Sequence, residues 1–142
     1  MEGELIVRKS VLITAEPAEV WRAITTPELT RQYMHNSEVI SGWNAGDTIV
    51  WRDAENKKVH VKGIIVDIKP GTYLQTSDLS IDSGLSDIES NYSRVIYELK
   101  KENEKTLLSV TEDKFNRDEK RYKDAENFWN IILIKMKELL EE

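Results

Sequence analysis

The segment that most limits how this chain can fold is its last one, residues 120–142, which has the longest unbroken hydrophobic periodicity. Glu126, Asn130 and Lys137 fall off the apolar stripe that helical spacing defines. The residues on that stripe are Tyr122, Ala125, Trp129, Ile132, Leu133, Met136 and Leu140. A stripe this long and bulky needs a surface to cover, so it predicts a C-terminal helix that packs on the strands preceding it.

Composition sets the broad class of the protein. A chain of 142 residues with 39% hydrophobic and 32% charged residues indicates one globular domain, residues 1–142. A net charge of −6 argues against nucleic acid or an anionic membrane as the main partner. The chain has no Cys, so disulfides and thiolate catalysis are excluded. Residues 1–5 do not read as a signal peptide, and we expect a cytoplasmic protein.

Alternating apolar residues and turn signals predict seven strands before the closing helix. Pro17 and Pro27 mark the starts of two short helices after the first strand, because proline is tolerated at the first helical position. Residues 78–91 are acidic and Ser-rich and are interpreted as a loop. The predicted strands are 5–14, 37–40, 47–52, 59–68, 73–78, 92–100 and 106–113. Short connections imply antiparallel pairing, so the order predicts a two-layer α+β domain.

Three segments in this order resemble the START-like (helix-grip, SRPBCC) superfamily, and specifically its branch of activator of Hsp90 ATPase homologue 1-like (AHSA1-like) proteins. They are the strand-to-helix opening at 13–29, the strand and turn at 63–74, and the closing pattern Trp129-x3-Leu133-x2-Met136. The chain departs from the family where Phe128 replaces the usual glycine before the closing Trp. Near residue 45 it has one glycine, Gly46, where the family usually has a pair.

The resemblance implies a curved antiparallel sheet of about six to seven strands that grips the C-terminal helix, with a cavity between them. Large aromatic residues of this chain either fill that space as core or line a ligand pocket. The candidates for the pocket wall, taken from strand parity and helical position, are Trp51, Tyr97, Trp129, Leu133 and Met136.

Few polar side chains are candidates for chemistry inside such a cavity. Glu112 continues the inward row of its strand, where its carboxylate either reaches solvent at the rim, as we expect, or sits in the pocket with a raised pKa. His60 faces the cavity or solvent, and with Glu112 it forms the acid–base pair that an enzyme would need. Without Cys and with two His, the sequence predicts no metal site and no cofactor.

We therefore expect a non-catalytic protein that binds a small apolar or amphipathic molecule. Two alternatives follow from the resemblance: a protein-interaction module that regulates a chaperone, and a polyketide cyclase-like or hydrolase-like enzyme. Ile131 and Ile134 lie off the main stripe of the closing helix, and they either pack on neighbouring segments or form a homodimer contact.

Overall fold

A computed structural model of the protein describes residues 4–142, so the first three residues of the expected 1–142 domain lie outside the described part. The strands are Val7–Ile13 (β1), Ser37–Ser41 (β2), Thr48–Asp53 (β3), Val59–Lys69 (β4), Tyr73–Ser80 (β5), Ser93–Glu102 (β6) and Lys105–Asp113 (β7). The helices are Pro17–Thr25 (α1), Pro27–Tyr33 (α2) and Glu119–Leu140 (α3). The seven predicted strands and three helices are all present, and their predicted ends agree to within two residues.

The seven strands form one open antiparallel sheet in the order β1-β7-β6-β5-β4-β3-β2. Strands β2 to β7 each pair with the strand that precedes or follows them in the chain. Strand β1 pairs with β7 instead and forms the edge of the sheet opposite β2. Irregular register at Trp51/Arg52 and at Ile65/Asp67 marks bulges, which bend strands. The predicted α+β helix-grip fold is confirmed.

The two short helices begin at their prolines, as predicted, and α2 is fixed to the edge strand by one buried hydroxyl. Thr30, which has no exposed surface, donates to the carbonyl of Ser37 at 3.0 Å and accepts the N–H of Val39 at 3.2 Å. This hydroxyl satisfies backbone groups of β2 that lie under the helix. As a result, the α2–β2 junction forms a firm end wall of the domain.

The long helix α3 is anchored at both ends. The carboxylate of Asp118 accepts backbone N–H groups of the first turn, an N-cap that defines where the helix begins. At the other end, Lys137 donates to the carbonyl of Leu12 at 3.0 Å, and Glu141 accepts the N–H of Thr14 at 2.7 Å. The buried side chains of the helix are Trp129, Ile132, Leu133 and Met136. Its C-terminal half is therefore fastened to β1 and to the core.

The acidic segment after β5 has more structure than a plain loop. It contains two short 3-10 turns, Ile81–Ser83 and Glu89–Asn91. Asp87 ties it back to the sheet, because its carboxylate receives the Lys62 ammonium and, at 2.6 Å, the Tyr92 hydroxyl. In residues 4–142, no helix is long and apolar enough to cross a membrane.

Candidate ligand cavity

A cavity of about 560 Å³ lies between the sheet and the N-terminal half of α3 and opens to solvent. Strands β3 to β7 form its floor, the α2–β2 junction forms one end, and the first turns of α3 cover it. Its aromatic lining residues are Trp51, Tyr97, Phe128 and Trp129. Its titratable lining residues, besides Tyr97, are His35, His60, Asp78, Glu112 and Asp124.

The cavity ends where α3 meets the core. From the helix, Asp124, Ala125, Phe128 and Trp129 reach the cavity, all within its first half. Leu133 and Met136, expected on the wall, lie in the packed core instead, with 3% and 0% of their surface exposed. The reason is that the C-terminal end of α3 packs against β1. The same apolar stripe therefore faces the cavity in the first half of the helix and core side chains in the second half.

Three aromatic contacts run along the helical side of the cavity. Tyr97 meets Trp129 edge to face, with ring centroids 5.7 Å apart, and Phe128 meets Trp129 in the same way at 5.1 Å. The ring of His35 lies 5.9 Å from that of Phe128. Phe128 thus adds an aromatic ring to the cavity at the position where the resemblance leads one to expect glycine.

Glu112 lies inside the cavity, so the expectation that it reaches solvent at the rim is wrong. Its Oε1 accepts the indole N–H of Trp129 at 2.8 Å, and its Oε2 accepts the hydroxyl of Ser93 at 2.8 Å. These two donors draw the side chain under α3 rather than outward. Burial raises the pKa of the Glu112 carboxyl, and the hydrogen bonds from Trp129 and Ser93 offset part of that rise.

Asp78 is a second carboxylate in the cavity, one that the sequence interpretation missed. In the sheet it stands opposite Gly63 on β4 and Ser93 on β6. Thr76 donates to its Oδ2 at 3.1 Å, whereas its Oδ1 is buried against Gly63 with no hydrogen-bond partner in the described residues. Burial, together with the charge of Glu112, raises the pKa of Asp78 to about 7. As whole residues, Asp78 and Glu112 are half-buried.

One signal in the sequence could have found Asp78. Leu74, Thr76 and Asp78 share one face of β5 by strict alternation, and the first two are buried. The predicted strand ended at residue 78, and a terminal Asp before an acidic, Ser-rich stretch was interpreted as the start of the loop. The strand continues to Ser80, which places Asp78 within it, on the face that lines the cavity.

A third carboxylate, that of Asp113, is buried next to Glu112 in the chain but has a cationic partner. Asp113, with 3% exposed surface, receives two hydrogen bonds from the guanidinium of Arg94, at 2.9 and 2.5 Å. No ion pair among residues 4–142 includes Asp78 or Glu112, and no Lys or Arg of that part of the chain lines the cavity. The cavity is thus an apolar space with two carboxyl groups that lack a cationic partner.

The histidines do not complete an acid–base pair with Glu112. His60 lies at the mouth, where its Nδ1 is 2.6 Å from Oδ2 of Asp82 in the first 3-10 turn. His35 follows α2 and faces Phe128. Within the described part of the chain, no three His, Asp or Glu side chains converge in a way that could hold a metal ion.

Comparison with known proteins agrees with this architecture. The profile of the family described as activator of Hsp90 ATPase homolog 1-like protein matches residues 14–141, nearly the whole chain. Among curated proteins, none matches the sequence.

Solved structures share the fold. The chain is similar to ChR145 from Cytophaga hutchinsonii at 33% identity, with a TM-score of 0.81, covering 99% of this chain and 97% of that one. It also resembles the Aha1 dimer from Colwellia psychrerythraea at 17% identity, with a TM-score of 0.77 and 96% of each chain covered. DynU16, from the dynemicin biosynthetic locus, matches at 19% identity with a TM-score of 0.80, covering 98% of this chain and 48% of that one.

Proposed function

The chain belongs to the family of activator of Hsp90 ATPase homolog 1-like proteins, and from this premise we propose that it binds a small amphipathic molecule in the cavity under α3. The observation that carries the proposal is the open cavity of about 560 Å³, which a small organic ligand fits. A side-chain-filled core would have left no room for such a ligand.

The proposed contacts divide by chemistry. The rings of Trp51, Tyr97 and Trp129 cover the apolar body of the ligand, and burial at about 25 cal/mol per Å² drives association. Glu112 orients its polar end. Leu133 and Met136 contribute to binding indirectly. They lie one and two turns beyond Trp129 on α3 and hold that end of the helix in the core.

Titration with the neutral, solvent-sensitive dye Nile red tests this proposal, since the dye carries no charge that could favour one polar group over another. Ala125 lines the cavity, so Ala125→Phe should fill it and weaken dye binding by about tenfold. Lys123→Phe, at an exposed site on the same helix, is the matched control and should bind the dye like the wild type. Equal binding by the wild type and Ala125→Phe would overturn the proposal.

A second experiment asks about the natural ligand directly. Native mass spectrometry of the protein purified from its own host should show a bound small molecule that is absent from Ala125→Phe purified in the same way. A mass identical to that of the bare chain in both samples counts against a tightly held ligand.

The pair Asp78 and Glu112 supports a second candidate, an enzyme of the cyclase-like or hydrolase-like kind. A carboxyl whose pKa lies near 7 can both give and take a proton at neutral pH, and Asp78 has that property inside an apolar cavity. Hydrolysis of p-nitrophenyl butyrate by the wild type, lost in Asp78→Asn, would favour it. Release of p-nitrophenol at the rate of buffer alone would count against it.

Chaperone regulation, the other alternative, rests on the family description alone. In that case an acidic surface would meet a basic partner, as the net charge of −6 allows. Unchanged ATP hydrolysis by a purified Hsp90 on addition of this protein would rule against it. The cytoplasmic location likewise stays a prediction, which fractionation of the host cell tests.

Self-association is a separate part of the proposal. Ile131 and Ile134 on α3 are 49% and 58% exposed, and a dimeric structure exists among the fold relatives. We propose that they form a homodimer contact, because exposed aliphatics on an otherwise polar helix face are typical of interfaces. Analytical ultracentrifugation should show a dimer that Ile131→Lys/Ile134→Lys converts to a monomer, and a monomeric wild type would remove this idea.

A further inference from the structure

We propose that the ligand of this cavity is an organic cation, an ammonium group on an apolar or aromatic body, held between Asp78, Glu112 and the aromatic rings around them. This inference rests on the proposed binding function and names the chemical class that the cavity selects. It depends on the placement of two carboxylates, on the aromatic wall and on the absence of Lys and Arg from the lining that the described residues form.

The two carboxylates have no counter-ion among residues 4–142. A buried carboxylate is normally paired with a cation, and this fold does so at Asp113 with Arg94. Glu112 precedes Asp113 in β7 and faces the other side of the sheet, into the cavity, where no Lys or Arg of the described residues lines the wall. A cationic ligand would give Asp78 and Glu112 the positively charged partner that Arg94 gives Asp113.

The two carboxylates also have unused hydrogen-bond acceptor capacity. An ionised carboxylate can accept about four hydrogen bonds. Glu112 receives one each from Trp129 and Ser93, and Asp78 receives one from Thr76, all from neutral donors. Glu112 therefore keeps free acceptor capacity at the cavity, and Asp78 keeps it on Oδ2, since Oδ1 is buried against Gly63. An ammonium, with up to three N–H donors, matches two such neighbours at once.

Aromatic rings form much of the wall around the two carboxylates. Trp51, Tyr97, Phe128 and Trp129 line the same cavity as the two carboxylates. A cation is attracted to the face of an aromatic ring, most strongly to Trp, when water is excluded. Aliphatic walls would have served an apolar ligand equally well, whereas rings combined with carboxylates favour a cation.

Other charged groups near the cavity point the same way. Asp124 at the rim adds a carboxylate, which Lys120 holds at 2.7 Å on the solvent side. Arg121 lowers the pKa of Glu112 from nearby, but its guanidinium is engaged with the carbonyls of Phe115 and Asn91, at 3.0 Å each. An anionic ligand such as a fatty acid would meet Asp78 and Glu112 with no Lys or Arg of the described residues on the wall to receive it, which opposes binding.

Three probes that share one body and differ in the head group test the inference: 2-(1-naphthyl)ethylamine, 2-(1-naphthyl)ethanol and 1-naphthylacetate. Affinities are measured by isothermal titration calorimetry at about pH 8, above the value of about 7 to which burial raises the pKa of Asp78. We expect the ammonium probe to bind about tenfold or more tightly than the alcohol, and the carboxylate probe to bind most weakly.

Variants separate a local effect from the general attraction of an acidic protein for cations. Asp78→Asn/Glu112→Gln should bring the ammonium and alcohol affinities within roughly threefold of each other, while the alcohol affinity holds. The control variant Glu102→Gln/Glu104→Gln removes an equal number of negative charges from the exposed β6–β7 turn, and this variant should keep the preference for the ammonium probe. Folding of each variant is checked by its amide NMR spectrum.

The outcomes distinguish this inference from the function on which it rests. Tighter binding of the alcohol or the carboxylate than of the ammonium overturns the cation preference but leaves a binding cavity. The local cation site is also overturned if Glu102→Gln/Glu104→Gln abolishes the preference as fully as the cavity variant does. If none of the three probes binds and Nile red does not bind either, the proposed ligand-binding function itself is overturned.

Discussion

The indole N–H of Trp129 donates a 2.8 Å hydrogen bond to Oε1 of Glu112, and this bond joins the closing helix to the last strand across the cavity. Trp129→Phe removes the donor and keeps a ring, so Glu112 loses one of its two hydrogen bonds and its pKa rises further. We expect a loss of about 1–2 kcal/mol in the free energy of unfolding, measured by urea denaturation at about pH 8.

A double-mutant cycle isolates this bond. In a Glu112→Gln background the acceptor is neutral, so Trp129→Phe should cost less there than in the wild type. Trp21→Phe, at a half-buried site on α1, controls for the change in ring size. Equal costs of Trp129→Phe in both backgrounds would show that the contact is packing alone.

Asp78 should make the stability of the protein fall as the pH rises. Its pKa is about 7 in the folded chain, against an ordinary value of 3.8, so between these values the folded state holds a proton that the unfolded state has released. Stability from this group is complete below pH 3.8 and is lost as the pH rises through about 7. The carboxyl of Glu112, whose pKa is also raised, acts with the same sign.

Asp78→Asn should remove that part of the pH dependence. Above pH 7 the variant should be more stable than the wild type by about 1–3 kcal/mol, a range reduced because the cavity admits water, and near pH 4 the two should be alike. Thermal unfolding at several pH values measures this, with Glu104→Gln in the exposed turn as a control. Parallel curves for the wild type and Asp78→Asn would contradict the burial of this charge.

The missing side chain of Gly63 leaves the space that the carboxylate of Asp78 occupies. The two residues are register partners on β4 and β5, and a Cβ added at Gly63 would meet Oδ1 of Asp78 and the backbone oxygen of Ser77. Because a strand backbone cannot yield as a side chain does, Gly63→Ala should destabilise the fold by about 1–3 kcal/mol, seen as a lower Tm. It should also displace the carboxylate, so the ammonium probe should lose more affinity than the alcohol. An unchanged Tm would show that the sheet yields at this point.

What could be foreseen from the sequence was the architecture. The stripe through Trp129 and the prolines at 17 and 27 depend on local periodicity and backbone geometry, which are written in short stretches of chain. The positions of Leu133 and Met136 relative to the cavity could not be foreseen in the same way. They depend on how far α3 tilts off the sheet, and that is decided by contacts such as Lys137 with Leu12, distant in sequence.

The carboxylates illustrate the same limit. Glu112 was recognised by strand parity, but its inward placement depends on donors from β6 and α3, Ser93 and Trp129. Asp78 was missed because nothing local marks that β5 continues beyond it into the acidic, Ser-rich stretch, although its alternation with Leu74 and Thr76 indicates the inward face. Cross-strand partners determine both positions, and a single sequence does not state which residues will be partners.

Phe128 should control the size of the molecule that the cavity accepts. Its ring lies between His35 and Trp129 on the cavity wall, at the position where the family usually has glycine. Phe128→Ala removes that ring without adding the backbone freedom of glycine, so the cavity widens next to α2. The half-buried ring contributes packing as well, and we expect a cost of about 1–3 kcal/mol in the free energy of unfolding. The variant should therefore bind large probes better relative to small ones.

The measurement is the ratio of affinities for Nile red and for 2-(1-naphthyl)ethanol, which removes any common effect of lower stability. The ratio should rise by about fivefold or more in Phe128→Ala, and Phe128→Leu, which retains most of the volume, should stay near the wild type. Tyr122→Ala provides a second control, because Tyr122 packs on Phe115, whose ring is 6.0 Å away, and does not line the cavity. A ratio that changes equally in Phe128→Ala and Tyr122→Ala would show that general loosening of α3, rather than the ring of Phe128, sets the size limit.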